Sequence, residues 1–220
     1  MKDIVIIGAG GFAREVAWLI EGINRKESQW KLLGFIDENK ENRGKVLNGA
    51  KVLGDFSWFT TINKEIYAVC AVGNPKIKEQ LVNKTNEAGV KFATLIHPDA
   101  VISNYSEIGE GTIICVGNIV TTNIIIGNHV ILNLDCTVGH DAVIDDYCTI
   151  APSVNISGNV KLNKGVDVGT GSAIIQGIEI GEYSIIGAGS VVVRSIPARC
   201  TVVGSPAKPI KFHSENESAL

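Results

Sequence analysis

A histidine and an aspartate stand side by side in the segment CTVGHDAVI, residues 136–144, which otherwise holds aliphatic, small or glycine residues. Imidazole changes its charge near neutral pH and is the commonest general base in proteins. An adjacent carboxylate can fix the tautomer of the ring and stabilise the imidazolium that forms. His140 and Asp141 are therefore candidates for a proton-transfer step.

A six-residue repeat surrounds this pair and must position it. Every sixth residue from Ile102 to Val192 is aliphatic, without an insertion or a deletion, and the residue two places earlier is mostly small or branched. Neither the period of a helix, about 3.6 residues, nor that of a strand, about 2, holds such a phase. The repeat predicts a solenoid of stacked short strands over residues 96–204.

Cys136 stands four residues before His140 and raises the alternative of a Cys–His nucleophile pair. It occupies the small position of the repeat, as Cys148 does, which favours a role in the core. The other histidines show no comparable neighbour. We expect His97, before Pro98, to be structural, and His129 and His213 to be exposed.

Residues 1–95 follow a different pattern, in which short apolar strands alternate with helices. A glycine turn separates the first strand from the first helix, and Asn-Pro and Gly mark the ends of the second helix. This alternation predicts a small parallel sheet with helices on its faces. The segments are, in order, DIVIIGAG, GFAREVAWLIEGI, KLLGFID, EIYAVCAVG and NPKIKEQLVNKTNEAG.

Composition excludes several classes of protein. The net charge is −3 with both signs interspersed, so there is no basic footprint for nucleic acid. The apolar stretch at residues 4–7 is too short for a signal peptide or a membrane span. Five cysteines without a C-x-x-C pair fit a reducing compartment better than a disulfide scaffold or a zinc site. We expect a cytoplasmic globular protein without a metal.

The repeats resemble those of the hexapeptide-repeat acyltransferases. Together with IIGAGGFAREV, GFIDEN, AVGNP, LIHPDAVIS, VGHD and IGAGSVV, in that order, they make nearly the whole chain similar to sugar acyltransferases of the sialic acid O-acetyltransferase and bacillosamine or perosamine N-acetyltransferase type. The closing VVGSPAKPI departs slightly, since Ser205 stands where asparagine is commoner.

The resemblance implies an α/β Rossmann-like domain at residues 1–95, a left-handed parallel β-helix at 96–204, and a C-terminal loop and tail at 205–220. It also implies acetyl-CoA as the acyl donor, a sugar or nucleotide sugar as the acceptor, and a homotrimer with active sites between neighbouring β-helices.

The resemblance further assigns roles to residues of the repeats. His140 is the general base, Asp141 raises its basicity, and Asn133 holds the acceptor. Acyl-CoA contacts fall at three residues, Thr149, Thr170 and Ala188. Stacking adds a fourth contact, because positions three hexads apart lie on successive coils about 4.8 Å apart. Gly158 is therefore expected beside His140, where its N–H could polarise the thioester carbonyl.

The glycine turn GAGGFA raises a rival interpretation. It fits the dinucleotide fingerprint G-x-G-x-x-A, and Asp37 at the end of the second strand could bind a ribose of NAD. A nucleotide sugar also carries a pyrophosphate, which the same turn could bind. The resemblance implies this second ligand, with acceptor contacts at Gly10, Gly11, Phe12, Asp37, Glu38 and Gly73.

Three functions remain open at this point. The favoured one is N-acetylation of a nucleotide-linked amino sugar of the 4-amino-4,6-dideoxy type, by direct transfer with His140 as base. The alternative is O-acetylation of a sialic-acid-type sugar, with the same residues and chemistry. The third is an NAD-linked protein or one whose β-helix serves only for assembly.

Overall fold

The computed structural model describes residues 1–214, so the end of the expected tail, residues 215–220, lies outside the described residues. The chain forms two compact units. The first comprises Met1–Gly73 and Ile77–Pro98, and the second comprises Asn74–Lys76 and the residues from Asp99 onward. Within residues 1–214, no helix is both long and apolar enough to cross a membrane.

The first unit is a Rossmann-like α/β unit built around a mainly parallel sheet. Its strand order is β3-β4-β2-β1-β5-β6, and the predicted strands and helices are confirmed. The elements are β1 (Lys2–Ile7), α1 (Gly11–Lys26), β2 (Trp30–Ile36), β3 (Val46–Leu47), β4 (Ala50–Gly54), β5 (Tyr67–Cys70), α2 (Pro75–Glu87), β6 (Lys91–Phe92) and β7 (Leu95–Ile96), with 3-10 helices at Lys40–Asn42 and Phe56–Thr61.

Strand β1 is the central strand of this sheet. Its residues 4–7 are fully buried, and it pairs in parallel with β2 on one side and β5 on the other. Helix α1 packs its apolar stripe, which includes Val16 and Ile20, into the core. The chain leaves β1 toward one side and returns on the other through β5. The carboxyl end of β1 is therefore a switch point, where open parallel sheets bind ligands.

Gly8 shapes the turn between β1 and α1. Its φ is +101°, and a Cβ at this position would lie 3.2 Å from Val72 Cγ2 and 3.3 Å from the carbonyl oxygen of Ala71. Only glycine combines that backbone conformation with so close an approach. The turn is thus pressed against the end of β5, and α1 begins just beyond it with Gly10 as its N-cap.

The second unit is a left-handed parallel β-helix, as predicted. Each of the sixteen hexads forms one two-residue strand, whose second residue is the repeating aliphatic one. The strands are β8 (Val101–Ile102), β9 (Glu107–Ile108), β10 (Ile113–Ile114), β11 (Ile119–Val120), β12 (Ile125–Ile126), β13 (Ile131–Leu132), β14 (Thr137–Val138), β15 (Val143–Ile144), β16 (Thr149–Ile150), β17 (Asn155–Ile156), β18 (Lys161–Leu162), β19 (Asp167–Val168), β20 (Ala173–Ile174), β21 (Glu179–Ile180), β22 (Ile185–Ile186) and β23 (Val191–Val192), followed by β24 (Cys200–Val203) and β25 (Lys208–Phe212).

The strands form three flat faces, and each hexad strand pairs in parallel with its counterpart on the neighbouring coil. Face 1 contains β8, β11, β14, β17, β20 and β23, and face 2 contains β9, β12, β15, β18 and β21. Face 3 includes β10, β13, β16, β19 and β22 and ends with β24 and the antiparallel β25. The corner between faces 1 and 2 is called corner 1/2 below, and the corner between faces 3 and 1 is called corner 3/1.

Two histidines of this unit differ from expectation. His129 is only 7% exposed, and its ring stacks on that of Tyr147 with centroids 5.4 Å apart. It also covers Gly111 of the preceding coil so closely that a Cβ there would overlap the ring. His213 is half-buried and lies 2.8 Å from the hydroxyl of Thr201. The prediction that both are exposed was wrong, because corner side chains lie against neighbouring elements of the solenoid.

Candidate active site

His140 and Asp141 form the turn at corner 1/2 that follows β14. Asp141 has a φ of +59°, and this turn brings the two adjacent side chains together, with His140 Nδ1 2.8 Å from Asp141 Oδ2. A carboxylate only accepts hydrogen bonds, so Nδ1 carries the proton and Nε2 has a free lone pair. Both side chains are about half exposed, at 51% and 47%. The pair therefore presents a basic nitrogen to solvent.

The hydrogen bond from His140 holds the pKa of the Asp141 carboxyl below its usual range, and a second bond, from Asn123, acts in the same direction. Asp141 is consequently ionised at neutral pH. An ionised carboxylate against Nδ1–H stabilises the imidazolium that forms when Nε2 takes up a proton.

Gly158 lies directly beneath the ring of His140, on the next coil, where stacking places it. A Cβ at position 158 would lie 2.5 Å from both Cε1 and Nε2 of the imidazole. Gly158 is buried, and its N–H donates to no group within residues 1–214. The ring thus rests on bare backbone, and any side chain at position 158 would displace it.

The other residues predicted on the β-helix lie at or near corner 3/1. Asn133 follows β13, and its Oδ1 accepts from the N–H of Leu134 at 2.8 Å. Its Nδ2 has no hydrogen-bond partner within residues 1–214, and so the amide can donate to a bound molecule. His140 and Asn133 therefore stand at opposite edges of face 1.

The column of Pro152, Thr170 and Ala188 continues corner 3/1. Backbone bonds connect its turns, since Gly171 N–H donates to Pro152 O at 2.9 Å and Gly189 N–H to Thr170 O at 2.8 Å. Space is open along it, because a Cβ at Gly171 or Gly189 would meet nothing within 4 Å. Another predicted acyl-CoA contact, Thr149, lies on the adjoining face 3, in β16. An extended molecule could lie against this column.

In the first unit, the six predicted acceptor contacts gather at the carboxyl ends of β1, β2 and β5. The first turn of α1 leaves backbone N–H groups without partners in the helix, which makes its N-terminus an anion site. Space there is open, because a Cβ at Gly10 or at Gly73 would meet nothing within 4 Å. The contacts are Gly10, Gly11 and Phe12 at the start of α1, Asp37 and Glu38 after β2, and Gly73 after β5.

The two acidic residues after β2 differ in what they contact. Asp37 Oδ1 accepts the N–H of Asn39 at 2.8 Å and so closes its own turn. Glu38 forms an exposed ion pair with Lys84. Both residues follow β2, which lies next to β1 in the sheet.

Comparisons with known proteins place this geometry in a family. The model of the PglD N-terminal domain matches residues 3–85. UDP-N-acetylbacillosamine N-acetyltransferase of Bacillus subtilis (strain 168) is 36% identical over 124 residues, which are 52% of this chain and 51% of that protein. The chain spans about half the length of the curated relatives it matches.

Solved structures match over more of the chain. The acetyltransferase domain of PglB from Neisseria gonorrhoeae FA1090, in complex with acetyl coenzyme A, is 31% identical with a TM-score of 0.86, over 95% of this chain and 99% of that one. The chain belongs to the hexapeptide-repeat sugar acyltransferase family. PerB from Caulobacter crescentus, solved with CoA and GDP-perosamine, is 27% identical with a TM-score of 0.88, over 96% of this chain and 98% of that one.

In this sugar acyltransferase family member, the structure rules out the Cys–His alternative. Cys136 is fully buried, and its Sγ lies 3.2 Å from the carbonyl oxygen of Ala151, whereas His140 faces outward. Burial raises the pKa of the Cys136 thiol to about 11, so it carries almost no thiolate at neutral pH. Cys136 is core filler, as the repeat position indicated.

Two features were not predicted from the sequence. Asn123 Nδ2 donates to the second carboxylate oxygen of Asp141, Oδ1, at 3.3 Å. An open groove of about 340 Å³ lies beside the start of α1, lined by Gly11, Arg14, Glu15, Trp18 and Asn48. The first was detectable, since Asn123 stands one full coil before Asp141. The second depends on the β3–β4 hairpin, whose tip supplies Asn48.

A larger cleft of the first unit lies away from the predicted site residues. A cleft of about 610 Å³ lies near the amino end of β2, with Trp30, Lys26 and Ile96 in its lining, and it contains no predicted site residue. Among residues 1–214, no group of three or more His, Cys, Asp or Glu side chains could hold a metal ion.

Proposed function

We propose that the protein is an acetyl-CoA-dependent N-acetyltransferase that acts on the amino group of a nucleotide-linked amino sugar of the 4-amino-4,6-dideoxy type. The observation that carries this proposal is the outward-facing His140. Its Nδ1 is held by an ionised Asp141, and its Nε2 makes no hydrogen bond within residues 1–214. The relatives support the acceptor class, because UDP-N-acetylbacillosamine and GDP-perosamine N-acetyltransferases are among them.

The reaction follows from this geometry. The acceptor amine attacks the thioester carbonyl, and His140 Nε2 takes up the proton that the nitrogen loses. The carbon–sulfur bond then breaks, and the CoA thiolate leaves and takes up the proton that His140 holds, which returns the imidazole to its neutral form. The N–H of Gly158 would donate to the carbonyl oxygen as charge develops there. All five cysteines are buried, which favours direct transfer over an acetyl-cysteine intermediate.

Acyl-CoA fits corner 3/1. The open glycines there leave room for a pantetheine arm along Thr170 and Ala188, with Thr149 close by. CoA would supply the activated acyl group. The acceptor's diphosphate would bind at the start of α1, near Gly10, Gly11 and Phe12, with Asp37, Glu38 and Gly73 around it.

We further propose a homotrimer in the cytoplasm. The base and the donor column stand at opposite edges of face 1, so one copy alone holds half of each site. The outward residues of face 1 carry no charge, and two of them, Val101 and Ile119, are 63% and 44% exposed. The others are Thr137, Asn155, Ala173 and Val191. Packing this face against neighbours would bury apolar surface and bring Asn133 of one copy toward His140 of the next.

The decisive experiment measures thiol release from acetyl-CoA against a panel of UDP- and GDP-linked 4-amino sugars, sialic acids, and no acceptor. We expect release only with an amino-sugar nucleotide, and loss of at least about 100-fold in kcat for His140→Ala. Gln176→Ala is the matched control, because Gln176 is an exposed residue at the same corner, two coils on. Release with sialic acid alone would instead establish O-acetylation. The absence of both thiol release and CoA binding would refute the proposal.

A further inference from the structure

Asn123 occupies the turn at corner 1/2 on the coil before His140 and Asp141. Strands β12 and β15 pair in register beside it, with Ile125 opposite Val143. The backbone of the two turns is also joined, since the N–H of Asp141 donates to the carbonyl of Thr122 at 3.1 Å. The side chain of Asn123 is therefore fixed directly next to that of Asp141.

The hydrogen bonds around Asn123 define its orientation. Thr122 Oγ1 donates to Asn123 Oδ1 at 3.4 Å, while Asn123 Nδ2 donates to Asp141 Oδ1 at 3.3 Å. The reverse orientation would set the amide oxygen against a carboxylate oxygen, and both only accept hydrogen bonds. The nitrogen must therefore face Asp141. Each oxygen of that carboxylate then has its own donor, Asn123 on Oδ1 and His140 on Oδ2.

We propose that Asn123 is a positioning residue for the acyl transfer, acting on His140 only through Asp141. A carboxylate held at one oxygen rotates easily at a half-exposed site, and its partner ring moves with it. The second donor fixes the carboxylate plane, and the plane fixes the direction in which His140 Nε2 points. This inference rests on the proposed function, in which His140 is the base. The lowered pKa of Asp141 is consistent with two donors.

A purely structural role for Asn123 is the competing explanation. Its φ is +56°, a left-handed conformation that asparagine tolerates better than most residues. Asn159 provides the matched comparison, because it lies one coil beyond Asp141 in the same turn position with a φ of +54°. Its side chain makes no hydrogen bond to Asp141 within residues 1–214, and its backbone N–H donates to the carbonyl of His140 at 2.8 Å.

The test compares Asn123→Gly with Asn159→Gly, since glycine accepts the positive φ without strain. We expect Asn123→Gly to lower kcat about five- to tenfold, the effect of losing one typical intramolecular hydrogen bond, with both KM values within about twofold. Asn159→Gly should leave kcat within about twofold. In an Asp141→Ala background, Asn123→Gly should cause no further loss, because the residue through which it acts is gone.

Three kinetic results would overturn the proposal. They are equal losses of kcat in the two glycine variants, an effect of Asn123→Gly confined to KM, and an undiminished loss of kcat in the Asp141→Ala background.

A measurement that needs no turnover distinguishes failure of this proposal from failure of the proposed function. Nitrogen-15 NMR of labelled histidines, with His140 assigned by His140→Ala, reports the Nδ1–H tautomer, and Asn123→Gly should shift or broaden that signal. An unchanged His140 signal in Asn123→Gly refutes the positioning role of Asn123. A changed signal, together with full activity of His140→Ala, refutes only the role of His140 as the general base.

Discussion

The bare backbone beneath the His140 ring leads to a sharp prediction for Gly158→Ala. The added methyl carbon would lie 2.5 Å from Cε1 and Nε2, whereas ordinary contacts of a Cβ begin at 3.4 Å. The φ of Gly158 is not in the left-handed region, so alanine fits the backbone itself. The ring must therefore retreat by about 0.9 Å, while the N–H of residue 158 stays in place.

This retreat should be costly for catalysis. It moves Nε2 away from its position and disturbs the 2.8 Å hydrogen bond between Nδ1 and Asp141. A displacement of about 1 Å in a reacting group can lower a rate about 100-fold. We expect Gly158→Ala to reduce kcat by about that factor, with the thermal midpoint of unfolding and the affinity for CoA nearly unchanged. Steady-state thiol release, thermal unfolding and calorimetric titration with CoA measure these three quantities.

The control is the double variant with His140→Ala. Without the imidazole, the methyl group has nothing to displace, so Gly158→Ala should cause no further loss in that background. Full activity of Gly158→Ala, or an additive loss in the double variant, would refute the reasoning that glycine is required for the ring. A loss of CoA affinity alone would assign Gly158 to the donor site instead.

Four further predictions follow from the site and its frame. His140→Ala and Asn133→Ala chains should regain about a quarter of wild-type activity when they are unfolded, mixed and refolded together, because random assembly creates shared sites with both residues intact at that frequency. No recovery of activity would contradict active sites shared between copies. Asp141→Asn should lower kcat by about 100-fold or more, since an amide can donate to Nδ1 and shift the proton to Nε2; a normal rate would remove Asp141 from the mechanism. Burial raises the pKa of the Cys136 thiol to about 11, so alkylation of the native protein at pH 8 should leave Cys136 unmodified, with modification growing only as the pH rises toward that value. Rapid labelling of Cys136 at pH 8, measured by mass spectrometry, would contradict its placement in the core. Gly8→Ala should lower the free energy of unfolding of the first unit by about 2 kcal/mol in urea titrations. Gly10 has a φ of −77° and open space around its Cβ position, so Gly10→Ala should change that free energy by less than about 0.5 kcal/mol. Equal losses in the two variants would contradict the strain expected at position 8.

The fold was predictable because its signals are periodic. A strict six-residue phase admits few structures other than a stacked solenoid, and the hexad strands appear where the aliphatic residues predict them. The β3–β4 hairpin was missed, although Asn48 and Gly49, with φ of +45° and +78°, are a typical hairpin turn. Its strands are too short to show alternation. The Asn48-Gly49 dipeptide was thus the only sequence signal for this hairpin.

The site was predictable in part. His140 and Asp141 stood out because they interrupt an apolar repeat, and the stacking of successive coils placed Gly158 beside them. Asn123 stands eighteen residues before Asp141, so the same stacking of coils places it beside that carboxylate. The exposure of His129 could not be judged from its neighbours in sequence. Its burial arises between coils, against Gly111 and Tyr147.

In the proposed function, the columns of corner residues also act as a molecular ruler. From Leu134 to Ala188 corner 3/1 advances by three coils, about 14 Å at the spacing of neighbouring strands. The proposed function places a pantetheine arm along this column, and the reach of that arm, which its covalent bonds set, should then match the number of coils. Removing one whole coil keeps every side chain on its own face and leaves a foldable solenoid, yet it shortens the ruler by about 4.8 Å. Changes in length by whole coils would thus alter which donors reach the base, without altering the chemistry.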